Sequence, residues 1–244
     1  MTDQTIASVP DASTKIAELT AQLQSSSAKK QLQAIPELAS LGTAGLEVVM
    51  KFLKEQQPTP VGITAGLAYQ ALYKANTPDT REFLQTHFPT GIVPLCSERG
   101  IDYTPLQQQL VEQDWLTADR LTIEKLCELA GPAAIQRKWL YFSEVENFPI
   151  TDLQTINTLW FVYSQGRFGF SVQRELWLSL GKNWDKLWPK IGWKAGNNWT
   201  RYPNGFTWDL SAPVGHLPLS NQLRGVRVMA SLLSHPAWSK TPLQ

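Results

Sequence analysis

The sequence has few of the residues that build metal centres and disulfide frameworks. Its 244 residues include only two cysteines, Cys96 and Cys127, and three histidines. Two thiols form neither a disulfide framework nor a four-thiolate metal site, and such scarcity is typical of proteins in a reducing compartment. Charged residues are also sparse, at 18%, and the formal net charge is +1. This near-neutral balance disfavours a protein built mainly to hold nucleic acid or anionic lipid.

Long apolar runs are absent as well. The longest strongly apolar stretch lies around TLWFVY, which is far shorter than the roughly 20 residues of a membrane-spanning helix. The first residues have neither the basic and apolar regions of a signal peptide nor the pattern of a transit peptide. We therefore expect a soluble, cytoplasmic protein.

Helical periodicity is present through most of the chain. No stretch shows the sustained alternation of a strand, so the pattern predicts an all-α fold. The first part is rich in alanine, leucine and glutamine, and predicts five short helices in a small, armadillo-like bundle. The segment HFPTGIVPLCSERGID contains two prolines and two glycines, which favour a boundary. The predicted domains are residues 1–87 and 88–244.

The second domain contains three further predicted helices. Thr117 is predicted to cap a helix with its body over 120–129. Residues 151–164 predict an amphipathic helix. Residues 219–233 predict the final helix of the chain.

The predicted final helix contains a basic motif. Asn221, Arg224 and Arg227 step by three residues, so they would share one face, and paired arginines suit a carboxylate or phosphate. Gly225 inside a helix would cost about 1 kcal/mol relative to alanine, which indicates a close approach of another group. The alternative is that the arginines form salt bridges with the acidic part of the domain, for example with Glu144 or Glu146.

Tryptophan is unusually abundant, and its distribution is uneven. Nine of the ten tryptophans lie at or after Trp139. The same region is basic, because residues 166–244 contain ten basic and three acidic side chains, whereas residues 90–165 contain five and ten. The loop WKAGNNWTRYPNGFTW, from Trp193 to Trp208, carries five aromatic rings with Lys194 and Arg201 among them. Exposed rings are costly, so they either tie the loop to the domain or line a pocket for a flat ligand.

The second domain resembles the genomes-uncoupled tetrapyrrole-binding family, the porphyrin-binding regulators of magnesium chelatase. The matching strings span most of residues 88–240, and the N-terminal part is similar to that of the family's cyanobacterial members. The strings are GIDYTPLQQQLVEQDWLTADRLT, LCELAGP, WLYFSEVENFP, GRFGFSVQ, KLWPKIGWK, GFTWDLSAPVGHLP and NQLRGVRV.

This resemblance implies a C-terminal helical "cupped hand" that binds protoporphyrin IX and magnesium protoporphyrin IX and activates magnesium chelatase through its large porphyrin-binding subunit. It implies a monomeric, non-catalytic carrier that requires no cofactor, with peripheral association with thylakoid membranes at most. No residue is assigned to a metal. Tyr202 departs from the family, in which Trp is common at that position. The porphyrin contacts implied by the motifs are Phe142, Arg201, Tyr202, Phe206, Asn221, Arg224 and Arg227.

Two other functions stay open on the residues alone. Interleaved tryptophan and basic side chains are compatible with a groove for single-stranded nucleic acid, although the total charge is modest. The other alternative is a structural interaction module, in which the aromatic rings are buried in a core. The solvent accessibility of the loop from Trp193 to Trp208 distinguishes this module from a porphyrin carrier. No nucleophile comes with an evident base, so we expect no enzyme. Cys127 is expected in the core, and His216 is expected to brace a turn rather than bind metal.

Overall fold

The computed structural model describes residues 12–57, 61–220 and 225–239. Within these ranges the chain forms thirteen α-helices and one very short hairpin, which confirms the predicted all-α class. The first five are α1 (Ala12–Leu23), α2 (Ala28–Ser40), α3 (Thr43–Glu55), α4 (Ile63–Ala75) and α5 (Pro78–His87), as the sequence predicts.

The remaining elements belong to the second half of the chain. No helix in the described ranges combines the length and the apolar character that a bilayer crossing needs. The elements are α6 (Thr104–Glu112), α7 (Trp115–Ala130), α8 (Pro132–Arg137), α9 (Phe142–Val145), α10 (Ile150–Tyr163), α11 (Phe170–Ser179), α12 (Trp184–Lys190), β1 (Lys194–Ala195), β2 (Asn198–Trp199), α13 (Arg227–Ser234) and a 3₁₀ helix (Pro236–Trp238).

The described residues divide into two compact units. The first contains the residues up to 57 together with 67–89, and the second contains 61–66 and the residues from 90 onwards. In the first unit α1, α2 and α3 pack against one another, and α5 packs against α3. Gly45 makes the α2–α3 contact close, because an added Cβ would fall 1.9 Å from the carbonyl oxygen of Leu38.

Helix α10 forms the centre of the second unit. The sequence predicts an amphipathic helix here, but buried residues occupy most of its circumference, because α6, α11 and the 3₁₀ helix all pack around it. Trp160 is fully buried, and its indole N–H donates to the hydroxyl of Thr122 on α7 at 2.9 Å. Asp152 is also fully buried and accepts the hydroxyl of Tyr103 at 2.7 Å. These two buried polar side chains of the core are therefore hydrogen-bonded.

Two predictions for the ends of helices are wrong. The sequence predicts Thr117 as a cap, but α7 begins at Trp115, and the carboxylate of Asp114 accepts the N–H of Thr117 at 3.0 Å. The sequence also predicts a final helix from Leu219, but α13 begins at Arg227. Gly225 lies before that helix with φ +90°, a left-handed conformation that glycine adopts without strain. Gly225 therefore lies outside the helix, and among the described residues no other group comes within 4 Å of a Cβ added there.

Four stacked tryptophans join α11, α12 and the hairpin. We call Trp177, Trp184, Trp188 and Trp193 the tryptophan row. Its successive ring centroids are 4.9, 5.1 and 5.5 Å apart, and the ring planes are inclined by 30° or less. Offset stacking of this kind adds to the free energy of burial. The row attaches the hairpin and the loop after it to the helical body of the unit.

Candidate ligand-binding site

A cavity of about 800 Å³ opens beside α7 in the second unit. This volume lies in the range of small-molecule sites, which is about 300–1,000 Å³. Its walls come from α7, the end of α8 and the residues after it, the loop after β2, the chain at 219–220, and α13. The lining residues are Asp119, Arg120, Ile123, Glu124, Leu126, Cys127, Glu128, Ile135, Lys138, Trp139, Leu140, Thr200, Arg201, Tyr202, Leu219, Ser220, Val228 and Leu232.

The walls combine apolar surfaces with charged groups. Leu126 and Cys127 lie one turn after Ile123 on α7, and α13 supplies Val228 and Leu232. Cys127 is 3% exposed, which confirms its expected place in the core, and burial raises the pKa of its thiol to about 11. A thiol with such a pKa stays protonated near neutral pH and serves as an apolar wall. The cavity can therefore take a ligand with a large apolar surface.

The loop from Trp193 to Trp208 has anchored parts and an exposed part. Trp193 is fully buried, and its indole N–H donates to the carbonyl of His216 at 2.8 Å. The N–H of Thr200 donates to the carbonyl of Trp193 at 3.0 Å. Tyr202 is 51% exposed and meets Trp208 edge-on, with ring centroids 5.9 Å apart. The anchored residues thus present Thr200, Arg201 and Tyr202 to the cavity.

His216 holds the far end of this loop. Its Nδ1 lies 2.6 Å from the carbonyl oxygen of Ile191, and its Nε2 accepts the N–H of Thr207 at 3.2 Å. The acceptor role of Nε2 places the proton on Nδ1, which donates to Ile191. Burial lowers the pKa of His216, although the bond to Ile191 raises it in part. His216 therefore braces the loop from Trp193 to Trp208, whereas the sequence predicts that it braces the turn in which it lies.

A second pair of predicted contacts lies where α9 packs against α13. The guanidinium carbon of Arg227 is 5.5 Å from the ring centroid of Phe142, which is 37% exposed. A carboxylate oxygen of Glu144 on α9 lies 2.8 Å from the guanidinium of Arg137. The same guanidinium lies over the ring of Tyr141. Within the described residues Glu144 thus pairs with Arg137 rather than with Arg227, and Arg224 of the same motif lies outside them.

The predicted contacts do not all lie together. Arg201 and Tyr202 line the cavity. Phe142 and Arg227 contact each other, but in the described part of the chain neither lines the cavity. Phe206 is 5% exposed and packs on His216, with ring centroids 5.4 Å apart, so it supports the loop from inside. Asn221 and Arg224 lie outside the described residues.

The sequence does not predict the α7 wall of the cavity, and in particular it does not predict Asp119 as a site residue. This carboxyl is 3% exposed, and its Oδ1 accepts the N–H of Leu219 at 2.6 Å. Burial raises its pKa to about 7, although the bond from Leu219 lowers it in part. Its position one turn from Trp115 and Thr122, both buried, was the available signal. In the described ranges no cluster of three or more His, Cys, Asp or Glu side chains is arranged to hold a metal ion.

Comparison with known proteins agrees with the resemblance seen in the motifs. Residues 96–236 match the family described as GUN4-like, and residues 7–89 match its N-terminal ARM-like repeat domain. The chain belongs to the GUN4-like family. A Ycf53-like protein of Synechocystis sp. is 57% identical over 229 residues, which are 93% of this chain and 98% of the relative. The chloroplastic tetrapyrrole-binding protein of Arabidopsis thaliana is 38% identical over 151 residues, covering 58% and 57% of the two chains.

Solved structures of the GUN4-like family share the fold. The GUN4 structure from Chlamydomonas reinhardtii superposes with a TM-score of 0.57 at 40% identity and covers 61% of this chain and 95% of its own. The ligand-free structure of Arabidopsis thaliana GUN4 gives a TM-score of 0.53 at 39% identity, with coverages of 57% and 99%.

Proposed function

We propose that this protein binds a dicarboxylic tetrapyrrole, such as protoporphyrin IX or magnesium protoporphyrin IX, in the cavity between α7, the loop after β2 and α13. The main support for this proposal is the cavity itself, in which apolar walls lie beside Arg201 and Tyr202. It occurs in a chain 38% identical to a protein named for tetrapyrrole binding. The proposed role is that of a carrier, without catalysis and without a required cofactor.

The energetics favour the apolar walls as the main source of affinity. A porphyrin is a rigid apolar disc, and burial of several hundred Å² yields on the order of 10 kcal/mol. Loss of translational and rotational freedom offsets a large part of this gain. Each bond between a guanidinium and a propionate adds about 1.5–3 kcal/mol where water is partly excluded. Arg201, and the arginines of the NQLRGVRV motif, would then orient the ligand by its acidic edge.

The aromatic loop gives less support to the other two functions. Of its five rings, Trp193 and Phe206 are buried, Trp199 and Trp208 are half-buried, and Tyr202 is 51% exposed. Base stacking along a single strand needs successive exposed rings, so nucleic-acid binding is disfavoured. A purely structural module accounts for Trp193 and Phe206 but gives no role to Tyr202 at the cavity.

Porphyrin binding is tested by titrating the full chain with deuteroporphyrin IX, a soluble dicarboxylic porphyrin, and following the Soret band. We expect a saturable shift with a dissociation constant below tens of micromolar. Arg201→Ala should weaken binding of the diacid more than that of its dimethyl ester, because the ester presents no charge to the guanidinium. Asp185→Asn, an exposed substitution on α12 away from the cavity, is the matched control. A protein that gives no saturable shift does not have this function.

The family resemblance leads us further, to activation of magnesium chelatase through its large porphyrin-binding subunit. Reconstituted chelatase should gain activity when the wild-type chain is added. The variant with weakened porphyrin binding should give a smaller gain at equal concentration. Co-purification with the large subunit alone tests the contact. We also propose that the chain is a monomer in the cytoplasm with at most peripheral thylakoid association, which gel filtration and cell fractionation examine.

A further inference from the structure

Asp119 is an acidic group in an unfavourable place. It lines the cavity, yet its side chain is 3% exposed. A buried carboxylate loses the hydration that stabilises its charge, so burial raises the pKa of Asp119 to about 7. An apolar or amide side chain would avoid this cost. The proposed function as stated so far gives this carboxyl no task.

A hydrogen bond connects Asp119 to the segment that leads into the predicted ligand contacts. Its Oδ1 accepts the N–H of Leu219 at 2.6 Å, across 100 positions of sequence. The next residue, Ser220, is 5% exposed, and its hydroxyl contacts the sulfur of Met229 on α13 at 3.4 Å. Leu219 and Ser220 are thus held between α7 and α13. They directly precede residues 221–224, which include two of the seven predicted contacts.

The charged groups that line the cavity together with Asp119 come from three elements. Helix α7 supplies Arg120, Glu124 and Glu128, the residue after α8 supplies Lys138, and the loop supplies Arg201, while the chain at 219–220 and α13 present uncharged groups. Desolvation raises the pKa of the Tyr202 phenol, and the nearby carboxylate of Asp119 raises it further. Cys127 is the other titratable group of this wall.

A dicarboxylic ligand in the cavity changes this balance in one direction. Its macrocycle would displace water from the α7 wall, which increases the cost of a charge on Asp119. Its propionates would add negative charge to the same space, which disfavours a second carboxylate nearby. Both effects favour the neutral form of Asp119 in the complex.

We propose that Asp119 is a positioning residue for the ligand, one that holds the backbone at Leu219 and takes up a proton from solvent when a dicarboxylic tetrapyrrole binds. This inference rests on the proposed function. A neutral carboxyl keeps its carbonyl oxygen as an acceptor, so the bond from Leu219 persists after protonation. Because the bound pKa then exceeds the free pKa, affinity is highest at low pH and falls as the pH rises above neutrality.

Asp119→Asn separates the charge from the hydrogen bond, because asparagine is nearly isosteric, keeps an oxygen acceptor for Leu219 and carries no charge. Deuteroporphyrin IX is titrated at pH 6.5 and pH 9, where a one-unit increase in pKa on binding would weaken the wild-type protein about tenfold. We expect that loss in the wild type, a change of about twofold or less in Asp119→Asn, and tighter binding by the variant at pH 9. Asp119→Ala removes the acceptor and should weaken binding at both values.

Proton uptake gives a readout that a merely structural role would not move. Calorimetric titrations at pH 7.5 in two buffers of different ionisation enthalpy count the protons bound with the ligand. We expect a fraction of a proton for the wild type and for the control Asp185→Asn, and none for Asp119→Asn. Saturable binding without uptake, or with one pH profile in both proteins, overturns this inference and leaves the proposed function standing. No saturable binding by the wild type overturns both.

Discussion

His216 and Thr207 are joined by a hydrogen bond in which the imidazole Nε2 accepts a backbone N–H at 3.2 Å. The bond exists only while His216 is neutral, and burial lowers its pKa below the ordinary value of 6.5. As the pH falls, His216 is therefore protonated in the unfolded chain before it is protonated in the folded one. Its contribution to the free energy of unfolding is complete above pH 6.5 and is lost as the pH falls through the lowered pKa.

We expect the consequence in urea denaturation between pH 7.5 and pH 5.5. The stability lost by the wild type over this range should exceed that lost by His216→Gln. His235 also has a lowered pKa and acts with the same sign, whereas the raised pKa of Asp119 acts with the opposite sign. Both are present in the two proteins, so the difference isolates His216. Equal pH dependence in wild type and variant would contradict this account.

The arginines of the NQLRGVRV motif are predicted to bind the propionates at the acidic edge of the ligand. Arg224→Ala combined with Arg227→Ala should weaken binding of deuteroporphyrin IX at least tenfold, because loss of one bond between a guanidinium and a propionate costs about 1.5–3 kcal/mol. The dimethyl ester should lose less affinity, because it offers no carboxylate. A matched pair, Lys186→Ala with Lys190→Ala on α12, removes two exposed charges away from the cavity. Equal losses for diacid and ester would refute the prediction.

Trp193 is predicted to carry much of the stability of its loop. It is fully buried, stacks on Trp188 and donates to the carbonyl of His216. Trp193→Ala should lower the free energy of unfolding by about 3–5 kcal/mol, the usual cost of removing a buried aromatic ring. Trp193→Phe keeps a ring but loses the donor, so it should cost less. Chemical denaturation measures both, and a near-neutral alanine variant would show that the loop is not anchored here.

Thr122 is predicted to matter for its hydroxyl alone. Its Oγ1 is the acceptor for the indole N–H of the fully buried Trp160. Thr122→Val preserves shape but leaves that donor unpaired, which should cost about 1–3 kcal/mol. Thr122→Ser restores the acceptor and should recover most of the loss. If valine and serine variants unfold alike, the hydrogen bond contributes nothing.

Local periodicity predicts the helices well, and a distant contact explains the failure at Leu219. The helices from α1 to α5 have ordinary helical spacing of apolar residues, so their apolar faces were readable. The chain at Leu219 has apolar residues at helical spacing too, yet its N–H bonds to Asp119, 100 positions earlier. No local pattern contains that partner.

The site was predictable only in part for a related reason. A loop without a period does not show which of its rings face the core, so Phe206 and Tyr202 were indistinguishable in the sequence. In the structure one is 5% exposed and the other 51%. Asp119 lay on the buried face of α7, but an isolated acidic residue in a helical pattern is ordinarily at the surface.

The tryptophan row also has an optical consequence. Indoles stacked this closely share their excited states, so light absorbed by one ring migrates along the row before emission. The near-ultraviolet circular dichroism should contain a coupled signal that Trp188→Phe reduces, because this substitution removes two of the three stacked indole pairs and leaves Trp177 on Trp184. The coupled signal of the row therefore reports on the packing of α11, α12 and the hairpin.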